Sequence, residues 1–266
     1  DSANDLERLN NLLPLLASAI RHGMLSSEDG AVERRRASLV AALEVAKSDA
    51  TRRNNALHAH ALLLLTRVTM FGREDYAGSL DEIWEEFKEV ISQSRGLGTF
   101  PFESIANTLT QMGEFVPESS AFDNLYEDLT DALSERKKEG EAAKLNSERA
   151  YQKLKKGLHY DAIRWFGRAV SLLVKAEYED ELVEALCGCS IAYMEAGLYW
   201  AARNYALAAT ATECRKYNQS GSADDINPAV LSQWFACELQ LGRVPFALVA
   251  YEMGVTVRYA RSRTQE

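Results

Sequence analysis

His58 and His60 form the single H-x-H spacing in the chain. Such a pair ligates a metal only when both rings point the same way. Within a helical stretch they point about 200° apart. No third ligand accompanies them, so neither a metal nor a cofactor is expected. Cys187 and Cys189 repeat the spacing and fall on opposite sides of a helix, which suits neither a shared zinc nor a mutual disulfide. With Cys214 and Cys237 they read as small buried hydrophobes in a reducing, cytoplasmic setting. The row Asp81, Glu82, Glu85, Glu86 and Glu89 and the run Arg34, Arg35, Arg36 read as solvated helix faces. His22 and His159 are isolated, and Trp165 and Trp234 belong to apolar stripes. Neither a G-x-x-x-x-G-K-[ST] loop nor a G-x-S-x-G elbow occurs. With no catalytic pair at a diagnostic spacing, the expectation is a protein that is not an enzyme.

The composition narrows partners further. The 266 residues are 47% hydrophobic with a net charge of −9, enough apolar content for a buried core. The negative excess is concentrated in 73–140, while 1–72 and 141–266 are nearly balanced. Without a basic stripe to neutralise phosphates, nucleic acid is not an expected partner. The apolar run Ala61 to Leu65, like every other in the chain, is far too short to span a bilayer, and no signal peptide is visible. No membrane partner is expected. The chain starts at Asp1 rather than Met, which reads as a processed product or a piece of a larger protein.

The elements that carry these residues follow a period. Gly30, Gly72, Gly113, Gly157, Gly197 and Gly242 recur about every 40–45 residues, each between two helical patterns. Six helix pairs result: 3–22 with 31–48, 51–70 with 79–94, 101–112 with 119–138, 141–156 with 159–176, 179–196 with 199–217, and 228–241 with 244–262. The fold class is therefore all-α, a helical-repeat solenoid of about six antiparallel pairs. Its parts are 1–140 and 141–266, joined in one continuous array. Each glycine is expected to close the first helix of its pair in a left-handed conformation. Ser79 with Glu82 predicts a capping box. Asn227 before Pro228 predicts a capped start, and Pro245 suits the first turn of the last helix. Pro14 should kink or split the first helix. The polar segment 218–227 is the longest predicted connection.

Over about 145–255 the residues resemble tetratricopeptide repeats. The fourth pair reads "GLHYDAIRWFGRA", with Gly157, Ala162, Ile163, Phe166 and Ala169. The fifth carries Ala192, Tyr193, Gly197, Tyr199, Ala202 and Ala209, and the sixth Gly242, Ala247, Leu248 and Tyr251. An alanine follows each turn glycine at the same distance. The period exceeds the usual 34 residues and is similar to the extended repeats of kinesin light chains and of the sensor arms of STAND-type bacterial regulators. In the first half, Gly72 with Ala77 and Gly113 with "EFVPESSAFDNLYEDL" match more weakly.

The resemblance implies a right-handed superhelix whose first helices line a concave surface. It places the groove at Lys144, Ser147, Tyr151, Leu154 and Lys155. The next pair adds Glu184, Cys187, Ile191, Met194 and Glu195, and the last adds Ala229, Ser232, Ala236, Leu239 and Gln240. This set lacks the Lys/Arg/Asn concentration with which family members clamp a terminal carboxylate. It suits an amphipathic helix or an extended segment. The expected function is a non-catalytic scaffold that binds a protein or peptide through this surface. The alternative is a ligand- or peptide-sensing arm of a multidomain regulator. A homo-oligomer is compatible with both.

Overall fold

The computed structural model describes residues 49–70, 79–174, 176–223 and 226–264, with isolated positions 34, 37 and 41. Among them every regular element is helical. The chain divides into two compact units, Asp1–Glu135 and Arg136–Glu266. The first predicted pair, with Pro14 and Gly30, lies outside the described residues, apart from positions 34, 37 and 41. Gly72 and Ala77 lie outside them as well.

The first unit contains α1 (Ala50–Met70), α2 (Leu80–Ser94), α3 (Phe102–Gly113) and α4 (Ser120–Glu135). Asp49 caps α1, its carboxylate accepting from the amides of Thr51 and Arg52 at 3.0 and 3.1 Å. In α2 the buried residues Leu80, Ile83, Trp84, Phe87, Val90 and Ile91 recur at helical spacing. Trp84 meets Phe122 of α4 edge-on at 4.9 Å. Each such large side chain contributes roughly 1.5–3 kcal/mol of burial.

Three local expectations fail here. Ser79 stands at the start of α2 without making a side-chain capping bond, so the predicted capping box does not form. Gly113 is buried in the last turn of α3 and is not left-handed; its pair is connected instead through residues 114–119. Within the acidic row of α2, Glu86 is not solvated. It accepts from Arg67 at 2.9 Å and lies 2.8 Å from His60 Nε2, which ties α2 to α1. Asp81, Glu82, Glu85 and Glu89 are exposed.

The second unit is three helix pairs: α5 (Glu139–Lys155) with α6 (His159–Leu173), α7 (Glu179–Glu195) with α8 (Tyr199–Ser220), and α9 (Pro228–Gln240) with α10 (Val244–Thr264). A short 3-10 turn, η1 (Ala176–Tyr178), precedes α7. The three intra-pair turns are the same structure. Gly157, Gly197 and Gly242 have φ of 75°, 75° and 68°. Their amides bond back to Leu154, Met194 and Leu239 at 2.9, 2.9 and 3.0 Å, and the next amides reach Lys153, Tyr193 and Glu238 at 2.9, 2.8 and 2.8 Å. Two nested bonds around a left-handed residue satisfy carbonyls that the ended helix leaves open. The following helix then starts in register, and Ala162, Ala202 and Ala247 are each at most 1% exposed.

Small residues let the helices approach closely. A Cβ on Gly188 of α7 would stand 2.2 Å from the Phe166 ring of α6. Between α8 and α9, Ala202 and Ala206 share a cluster with Leu231, Trp234 and Cys237. Asn227 caps α9, its side chain accepting from the Ala229 amide at 3.0 Å, and Pro228 occupies the first turn. The predicted connection 218–227 is shortened because α8 continues to Ser220 and ends on left-handed Gly221.

Candidate functional site

In the second unit, first helices α5 and α7 flank a cleft of about 420 Å³. From α5 it receives Glu141, Lys144, Ser147, Glu148 and Tyr151, with Lys138 and Gly140 at the helix start. Glu181 and Glu184 of α7 face them, and Leu173 and Tyr178 complete the lining. The spacing Lys144, Ser147, Glu148, Tyr151 is one helical face. Tyr178 is positioned by η1 against Gly140, where a Cβ would meet its ring at 3.0 Å.

Four carboxylates and two ammonium groups give this cleft a negative field. Burial raises the pKa of Glu148; Lys144 opposes the shift, while Glu141 and Glu184 reinforce it by like-charge repulsion. Tyr151 packs edge-on against Phe166 at 4.9 Å. Burial, with Glu184, Cys187 and Cys189 nearby, pushes its phenol up to about 12, so it stays neutral and offers a hydrogen bond at physiological pH.

Of the predicted groove residues, the cleft brings together Lys144, Ser147, Tyr151 and Glu184. Leu154 and Lys155 lie further along α5, half-buried and exposed respectively. Cys187 is half-buried against Val183, Leu186, Ala209 and Val230, and burial raises its thiol to about 11, which removes nucleophilic character at neutral pH. Met194 packs on the cluster of Ala202 and Trp234. Ile191 and Glu195 are exposed on α7, as are Ala229, Leu239 and Gln240 on α9; Ala236 is half-buried. Ser232 sits elsewhere, in a small groove with Phe235 of α9 and Tyr251 and Val255 of α10.

Several residues of interest had no groove-position signal. Glu141, Glu148 and Glu181 enter the cleft because they flank the carried-over positions by one helical turn or one residue. A second exposed feature runs along the intra-pair turns. Tyr160, Trp200 and Phe246 are 72%, 59% and 47% exposed. The Arg243 guanidinium stacks 4.1 Å from the Phe246 ring centre and 5.5 Å from Trp200. Arg243 and Arg203 are held by Glu238, whose carboxylate is fully buried and also accepts from Trp234 Nε1 at 2.8 Å.

In the first unit a cavity of about 590 Å³ is lined by Val68, Thr108, Met112, Phe115 and Val116 among others. Among the described residues its lining contains no charged side chain. Among the described residues no group of three His, Cys, Asp or Glu side chains is placed to hold a metal. No described helix is long and apolar enough to cross a membrane.

No protein-family model matches the chain, and no curated protein matches it. Among solved structures it is similar to the crystal structure of BtubC from P. vanneervenii. The TM-score is 0.48 and the identity 14%, over 87% of this chain and 92% of that one. At that level the likeness assigns neither family nor function.

Proposed function

We propose that the chain is a non-catalytic recognition module of tetratricopeptide type, which binds a protein or peptide segment through the first-helix face of its second unit. The observation that carries this reading is the cleft between α5 and α7, formed by groove-position residues of two successive pairs. Its chemistry narrows the ligand. Glu141, Glu148, Glu181 and Glu184 outnumber Lys138 and Lys144, and Tyr151 and Tyr178 add aromatic surface. A lysine or arginine side chain fits such a site, through carboxylate pairing and cation–π contact. A free carboxy terminus does not fit, because four negative charges face it.

The test is a selection of random dodecapeptides on the whole chain, followed by titration of the enriched sequences. Enriched peptides should carry a basic residue within an otherwise apolar or small segment. Glu148→Gln with Glu184→Gln should weaken them at least tenfold while the protein stays folded. Raised salt should weaken binding as well. Enrichment of acidic peptides, or affinities unchanged by the double substitution, would overturn the site.

A further inference from the structure

The outer face of α10 carries Leu248, Tyr251, Val255 and Tyr259, which are 54%, 58%, 47% and 63% exposed. Steps of three, four and four residues place them on one stripe of the helix. The repeat register shows how unusual this is. Tyr251 follows Gly242 at the distance at which Phe166 follows Gly157 and Ala206 follows Gly197. Phe166 and Ala206 are fully buried, covered by α7 and α9 respectively. The α10 face thus continues an interface that is closed twice inside the unit.

We propose that this face pairs with the same face of a second copy of the chain, α10 against α10, antiparallel about a two-fold axis at Val255. The stripe is self-complementary in that arrangement, as a two-fold interface requires. Val255 meets its own counterpart. On one flank Tyr251 comes level with Arg258 of the second copy, a cation–π pair. On the other flank Glu252 comes level with Tyr259 of the second copy, a carboxylate with a phenol donor. Leu248 lies over the small Ser262. Arg258 and Glu252 are exposed, and the contact of Arg258 with Ser232 is long, at 3.5 Å. Neither side chain forms an ion pair among the described residues. A single helix pair lies at the small end of specific interfaces, so the dimer is a micromolar one.

Sedimentation velocity of the whole chain, from about 5 to about 500 µM, reads this directly. A monomer–dimer equilibrium is expected. Val255→Glu should shift it toward monomer at least thirtyfold, with the melting curve retained because the residue is exposed. Tyr251→Arg and Arg258→Tyr should each weaken the dimer, and the two together should restore it, since the pair is merely exchanged across the axis. Val255→Cys should form an intermolecular disulfide under mild oxidation much faster than Val249→Cys. A monomer at every concentration would overturn the proposal. So would a dimer indifferent to Val255→Glu, or cross-linking no faster at 255 than at 249.

Discussion

At the scale of single residues, three positions concentrate consequences. Gly188 is fixed by the Phe166 ring, and even a methyl group there must displace the ring or part α6 from α7. Gly188→Ala should cost about 1–3 kcal/mol. Phe166→Leu in the same chain should recover part of that loss, and denaturant midpoints of the four variants measure the coupling. Glu238 is buried and holds Trp234, Arg203 and Arg243 at once. Glu238→Ala leaves two guanidinium groups facing a vacated site, but both reach solvent at one edge, so the loss should be roughly 2–4 kcal/mol. Tryptophan fluorescence should change with it, because Arg243 stacks on Trp200. Glu148 has a folded pKa raised chiefly by burial. The contribution of such a carboxyl is fully present below its unfolded pKa and is lost as pH rises through its folded pKa. At pH 7 its charge is therefore destabilising. Glu148→Gln should raise the melting temperature at pH 7 by about 1–2 °C, solvent screening keeping the effect small. That gain should vanish near pH 4.

At the scale of elements, the turns explain what was legible and what was not. Gly157, Gly197 and Gly242 mark real left-handed turns because nothing but a backbone conformation is asked of them, and glycine supplies it cheaply. Gly113 shares their spacing yet serves as a small buried residue in a helix, a use that the period cannot distinguish. The turn between α4 and α5 has no glycine at its left-handed position; Lys137 occupies it with φ 61°. Lys137→Gly should therefore stabilise the protein by up to about 1 kcal/mol in chemical denaturation. Gly197→Ala should destabilise by a similar amount. Caps divide likewise. Asn227 bonds its helix as its type and the following proline indicate, whereas Ser79 has the right type and an extended backbone but makes no side-chain bond to its helix. Four of the expected groove positions meet in one cleft. Lys144, Ser147, Tyr151 and Glu184 converge because α5 and α7 lie side by side. The glutamates that join them were invisible because their place depends on the inter-helix angle, and Glu86 faces inward because His60 and Arg67 lie about two turns apart on one face of α1.

At the scale of the molecule, charge and surface separate the two roles proposed for the second unit. The cleft on α5 and α7 is negative and lined by titratable groups. The α10 stripe is apolar with one acid and one base. Peptide binding and self-association should therefore be independent: Val255→Glu should leave peptide affinity unchanged, and Glu184→Gln should leave the dimer unchanged. The central claim is the location of the recognition surface, and amide hydrogen exchange of the whole chain with and without a saturating selected peptide tests it most directly. Slowed exchange in 139–155 and 179–195, with α6, α8 and the helices of the first unit unchanged, is the predicted result. Protection confined to the first unit, or to α10, would contradict it.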